Sequence, residues 1–199
     1  MQLSPQFEKA LIYATRIHKA QLRKKTRIPY IGHVLGVTAI ALDYGANETE
    51  AIAALLHDAV EDCGGVRRLR DIERKFGEGV ATIVLGCTDT DQTPKPPWLE
   101  RKKAYIKHVR HASTPIKFVS AADKLHNVRS ILMDYRTERE KLWSRFNGGK
   151  KGSLWYYGAL VKAFGGKRIQ PLVKELDRTL KELEKRSNKG VRVEHPPSL

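Results

Sequence analysis

Apolar residues return at helical spacing along almost the whole chain, and no stretch sustains the period-two alternation of a half-buried strand. That pattern confines the chain to an all-α fold, expected as a bundle of roughly eight to ten helices. Start and stop signals divide it. Ser4-Pro5 reads as an N-cap followed by proline at the first helical position, opening a helix with Phe7, Leu11, Ala14 and His18 on one face. A basic loop, Arg23-Lys24-Lys25-Thr26-Arg27, follows. A second helix from about residue 33 to 44 is stopped by Gly45, and Asn47 with Glu50 forms a capping-type start for a third, which carries AIAALLHDAVED as far as Gly64-Gly65. Shorter helices are expected over 66–76 and 79–87, then a proline-rich loop over 89–98. Helix resumes at Trp98, restarts at a Thr114-Pro115 cap, and continues over 137–146, 154–164 and 169–185. Residues 1–187 read as one domain and 188–199 as a frayed tail.

Composition narrows the class without choosing a function. The 199 residues are 41% hydrophobic and 30% charged, the balance of a soluble globular domain. No apolar run approaches the ~20 residues that a membrane helix requires. The N-terminal segment lacks the basic-then-apolar pattern of a signal peptide, so a cytoplasmic location without a membrane partner is expected. Cys63 and Cys87 have no CxxC spacing, which suggests neither a disulfide framework nor a thiolate zinc site. The formal charge of +15, from 37 basic against 22 acidic residues, attracts polyanions. Nucleic acid, nucleotides and acidic membranes all satisfy that until a local feature decides.

The local feature is His57-Asp58, read as the middle of a very apolar helix, where an ionised aspartate needs a partner. A metal ion would supply one. Glu61 and Asp62 fall one turn further along the same helical face. His33 opens a helix just after IPYIG, and Asp123 is a second acid in a core-like segment, FVSAADKL. Each has a plainer reading: a surface or capping pair for His57-Asp58, a helix-start residue for His33, a core lysine or arginine partner for Asp123. Together they favour one divalent cation of the manganese, iron or zinc type, with Glu61 and Asp62 placed to orient or deprotonate water.

In order, His33, His57-Asp58 and Asp123 reproduce the H…HD…D signature, and the chain resembles the HD-domain phosphohydrolases. More narrowly, HKAQLRKKTRIPYIGH, LLHDAVED and AADKLHNVR are similar to the hydrolase domain of RelA/SpoT proteins and their small single-domain relatives, over residues 10 to 130. The resemblance implies a helical bundle, manganese held by His33, His57, Asp58 and Asp123, and removal of pyrophosphate from the ribose 3′ position of guanosine tetra- and pentaphosphate. It implies that Glu61 and Asp62 are the catalytic acidic pair, that Arg23 and Lys24 face the purine, and that Asn127 contacts the ribose. The partner is then a small anionic nucleotide rather than nucleic acid. The loop after Arg23-Lys24 departs from the family's RKSGEP form, and Val34 replaces the proline that usually follows the histidine. Base preference therefore stays open, with an adenosine alarmone or a nucleotide 3′-phosphate such as that of NADPH as alternatives. A non-catalytic nucleotide or nucleic-acid binding module is the reading from another class. In residues 147–160, Lys150 and Lys151 could serve phosphates and Trp155, Tyr156 or Tyr157 could stack, or these aromatics belong to the core. Nothing resembles a synthetase half, and oligomeric state is left open.

Overall fold

A computed structural model describes residues 2–90 and 94–189. Among the described residues the chain forms ten α-helices and no strand: α1 (Pro5–Ile17), α2 (Ile31–Asp43), α3 (Glu48–Leu56), α4 (Ala59–Asp62), α5 (Gly65–Phe76), α6 (Glu78–Cys87), α7 (Trp98–His111), α8 (Thr114–Glu138), α9 (Gly149–Ala163) and α10 (Gln170–Lys189). Tighter 3-10 turns occupy Arg139–Arg145 and Lys167–Ile169, and one isolated bridge pairs Leu22 with Pro29. The expected all-α bundle is what the chain adopts.

Local chemistry sets the helix ends. The Ser4 hydroxyl accepts from the Gln6 amide at 3.1 Å, with Pro5 behind it. Asn47 and Glu50 exchange side-chain and backbone hydrogen bonds of 2.9 Å each, a complete capping box. At α8 the cap position is Ser113 rather than Thr114, and no side chain caps the helix. The helix expected over 137–146 is a 3-10 stretch, α9 begins at Gly149, and α10 runs two residues past the expected domain boundary. The rest of the tail, 190–199, lies outside the described residues.

The 25-residue α8 is the axis of the bundle, packed by α2, α3, α6 and α10. Its residues from Phe118 to Asp123 are buried without interruption, the mark of a helix covered on every side. Only α10 and α5 show strongly one-sided patterns, as outer helices should.

One charged clamp fastens this core. Glu50 is wholly buried, and besides closing its capping box it takes a two-pronged contact from Arg168, whose second nitrogen lies at 2.5 Å. The guanidinium also rests 4.7 Å from the centre of the Phe118 ring. Arg168→Ala would leave the buried carboxylate with the Asn47 amide as its remaining partner, and because the guanidinium is 40% exposed a loss of about 1–3 kcal/mol in unfolding free energy is expected by chemical denaturation. A loss under about 1 kcal/mol, the range of exposed ion pairs, would show that the clamp is not a buried pair in energetic terms.

Candidate metal centre

The helix expected to run through His57-Asp58 stops at Leu56 and restarts at Ala59. Asp58, at φ −98° and ψ 0°, leaves the helical ladder, and its carboxylate is held by Tyr30, whose hydroxyl donates at 2.5 Å. The dipeptide is thus a junction between α3 and α4, not a mid-helix pair. The carboxylate's hydroxyl partner lies on another segment, which local periodicity could not announce.

At this junction three elements meet. His33 of α2 and His57 are 3% and 1% exposed, and their ligand atoms lie within 4.8 Å of one another and of Asp58. The His57 Nε2 atom stands 2.8 Å from Asp58 Oδ2, and His33 Nε2 stands 3.5 Å from it. Asp123, from α8, brings Oδ1 to 3.3 Å from His33 Nε2 and 3.8 Å from His57 Nε2. The four residues singled out in the sequence are brought together from distant segments.

The arrangement fits a cation. His57 Nδ1 lies 2.9 Å from the Ala54 carbonyl, which can only accept, so Nδ1 carries the proton. Its buried Nε2 then has no well-aligned hydrogen-bond partner, although the Asp58 carboxylate is close. A lone pair facing a carboxylate is stable only with positive charge between them. Without metal a proton fills that role: burial pulls the His57 imidazole down, but Asp58 more than offsets it and raises the group to about 9. Burial pushes Asp58 and Asp123 up, but His57 on the first and Lys124 on the second bring both below the usual carboxylate range. Two buried imidazole nitrogens and two ionised carboxylates are a donor set for a borderline divalent metal.

The surrounding groups fix these donors. Lys124 Nζ binds the outer oxygen of Asp123 at 2.5 Å, while Asn127 donates to Oδ1 at 2.5 Å. His33 Nδ1 lies 2.9 Å from His126 Nδ1, and burial together with His33 lowers His126 to about 4, leaving it neutral. If His126 accepts there, His33 Nδ1 holds the proton and its Nε2 is free toward the acids. The His126 ring fits because position 36 is glycine: a Cβ there would come within 2.2 Å of the imidazole. Gly36→Ala should therefore weaken divalent-metal binding about 10- to 100-fold in calorimetric titration. Gly32→Ala, where a Cβ meets nothing within 4 Å, is the matched control. Equal affinities in the two variants would release His126 from this role.

Glu61 and Asp62 sit beside the cluster rather than in it. Glu61 takes Lys95 Nζ at 2.8 Å and the Asp89 amide at 3.3 Å. Asp62 accepts from Gln21 Nε2 at 2.8 Å, and burial with the nearby Asp58 charge raises its carboxyl. Arg23 donates to Asn127 at 3.2 Å, so these two expected substrate contacts adjoin, and Lys24 reaches Asn147 at 3.0 Å. The basic loop is anchored across the fold, since Lys25 also binds the Ser144 carbonyl at 2.7 Å.

A cavity of about 220 Å³ opens onto Tyr30, His33, Asp58 and Asp123, and a larger one of about 510 Å³ adjoins it. Arg23, Lys24, Lys124 and Asn127 line both, and the larger adds Lys95, Arg101, Lys102 and Arg145. Trp98 forms part of its wall by packing on Gly148 and Gly152, where a Cβ would approach to 2.6 and 3.0 Å. Tyr156 and Tyr157 are 5% and 9% exposed, lining the cavity from the core, while Trp155 stays 41% exposed beside Trp98. Lys150 and Lys151 do not line it, and Lys150 instead binds Glu140 and the Ser187 carbonyl. Sequence reading passed over Tyr30, Lys124 and His126, although PYIGH and ADKLHN set each beside or near a chosen residue.

Residues 10–154 match the HD-domain family. The guanosine-3′,5′-bis(diphosphate) 3′-pyrophosphohydrolase MESH1 of Xenopus tropicalis is 41% identical over 122 residues, covering 60% of this chain and 65% of its own, just under two thirds. The human protein of the same name is 39% identical over 130 residues, 63% of this chain and 69% of that protein. Among solved structures, a metazoan SpoT ortholog described as hydrolysing ppGpp and acting in starvation responses aligns with a TM-score of 0.74 at 28% identity, covering 92% of this chain and 98% of its own.

Proposed function

The chain belongs to the HD-domain family, and from that premise we propose that it is a metal-dependent hydrolase that removes the 3′-pyrophosphate of guanosine alarmones. The observation that carries this reading is the continuity of the His/Asp cluster with a basic cavity of about 510 Å³. A cluster that binds a cation then opens directly into space for a polyanionic nucleotide.

His33, His57, Asp58 and Asp123 hold the cation, taken to be manganese, which when bound supplies Lewis acidity toward a phosphoryl oxygen. The remaining chemistry belongs to the chain's own groups. Water adds to the phosphorus bonded to the ribose 3′ oxygen as that bond breaks, releasing pyrophosphate and leaving GDP or GTP, whose 3′ oxygen takes up a proton to become the hydroxyl. Asp62, raised by its surroundings and steadied by Gln21, is suited to take the water proton. Glu61, anchored by Lys95 and the Asp89 amide, orients the attacking water. Arg23 and Lys24 hold the base, Asn127 the ribose, and the lysines and arginines of the wider cavity the remaining phosphates. Among the described residues no helix is long and apolar enough to cross a membrane. The proposed setting is the cytoplasm, with a free nucleotide rather than nucleic acid as partner.

The test is a product assay with manganese on guanosine and adenosine alarmones and NADPH. Pyrophosphate release, greatest from the guanosine substrates, is the expected result. Release of orthophosphate alone, or no release with any divalent metal, would overturn the assignment.

A further inference from the structure

Away from the catalytic cavity, a groove of about 460 Å³ lies between α1 and α5 and shares no lining residue with it. Its volume falls in the range of small-molecule sites, roughly 300–1000 Å³. Lys9, Ile12 and Arg16 stand three and four residues apart on α1 and so share a face, while Lys75 and Phe76 come from the end of α5. No carboxylate lines the groove. Lys9 and Arg16 pair with no acid among the described residues, and Lys75 is only 3.7 Å from an Asp71 already engaged by Arg74 and the Tyr13 hydroxyl. Two cations without counter-ions, beside a third whose acid is shared with Arg74, make this concave surface an anion site in electrostatic terms.

The groove also has an aromatic floor. Tyr13 and Phe76 meet edge to face, with centroids 5.5 Å apart, and Ile12 leaves 43% of its surface exposed alongside. Tyr13 is immobilised: its hydroxyl donates to Asp71 at 2.6 Å and accepts from Arg68 at 2.8 Å. A simple inorganic anion would leave this apolar floor unused, and a peptide of acidic residues would find nothing there to stack on. A planar base carrying phosphates uses both parts. We propose that the groove between α1 and α5 is a second nucleotide-binding site, in which Lys9, Arg16 and Lys75 hold phosphates and the Tyr13–Phe76 wall receives the base.

Its floor is tied to the catalytic segment. The Arg68 side chain that grips Tyr13 also donates through Nε to the Cys63 carbonyl at 2.9 Å, and Cys63 follows Asp62 directly. On the hydrolase reading, which this consequence rests on, filling the groove alters turnover.

Calorimetric titration of the full chain with GTP tests the site without needing turnover. Two binding events are expected, one lost in the Lys9→Glu/Arg16→Glu double variant and the other weakened in Arg23→Ala. Tripolyphosphate should bind the groove about tenfold more weakly than GTP, or worse, for want of a base. A single event untouched by the double variant overturns the proposal, as does equal binding of tripolyphosphate or of an oligoglutamate peptide. In hydrolysis assays, competition by GTP at the catalytic cavity is common to the wild type and the double variant, so a difference of about fivefold or more between them at a partly inhibitory GTP concentration, each rate taken relative to that protein's own rate without GTP, reads the groove alone. Equal rates would remove the regulatory consequence. An inactive chain that still shows two events would sink the hydrolase reading and leave the groove in place.

Discussion

Replacing Asp58 with alanine is expected to remove divalent-metal binding and turnover together. Its Oδ2 atom is where the centre converges, 2.8 Å from His57 Nε2, 3.5 Å from His33 Nε2 and 2.5 Å from the Tyr30 hydroxyl. Without it two buried imidazoles face one remaining carboxylate, and Tyr30 loses its acceptor. Loss of an outer-shell partner typically lowers metal affinity about 10- to 100-fold, so loss of this group should exceed that. Manganese titration followed by electron paramagnetic resonance reads the affinity, and circular dichroism checks that the bundle persists. Affinity retained within tenfold would move the metal elsewhere.

The second large effect separates chemistry from binding. Glu61→Gln combined with Asp62→Asn keeps the shape of both side chains and leaves the His33, His57, Asp58 and Asp123 donors untouched. Hydrolysis should fall by about 10²–10⁴, the usual contribution of positioned acid–base groups, while metal and nucleotide still bind. The measurements are kcat alongside calorimetric affinities. A near-normal kcat would make the pair bystanders, and a parallel collapse of metal affinity would mean that they support the cluster instead.

What sequence reading recovered, and what it lost, divides by the range of the forces involved. The caps at Ser4 and Asn47 were legible because a side chain satisfies an amide two or three residues away. The metal-ligand candidates were legible because ionisable groups in apolar runs are conspicuous. The break at His57-Asp58 was not, since the groups that hold Asp58 include Tyr30, twenty-eight positions earlier in the chain, and His33. Nor could Gly36 be understood before His126, ninety positions later, was seen to occupy the space a side chain would fill. Lys150 looked like a phosphate ligand because its charge is local knowledge, whereas its engagement with Glu140 and the end of α10 is not. Residues 147–160 read ambiguously for a physical reason: Tyr156 and Tyr157 belong to the core and to the cavity wall at once.

The position of α8 has a bearing on how a site of this design can diversify. The helix that places Asp123, Lys124, His126 and Asn127 also supplies Phe118, Leu125 and Val128 to the interior. Chemistry and structural integrity therefore share one rod, and tilting it to suit a new reaction would unpack the whole body. Much of the cavity rim, in contrast, is built from the loop around Arg23, the segment from Lys95 to Lys102 and the turn at Arg145. On the proposed function, new nucleotide preferences can be acquired along that rim by exchanging side chains, while the metal-binding end keeps its dimensions.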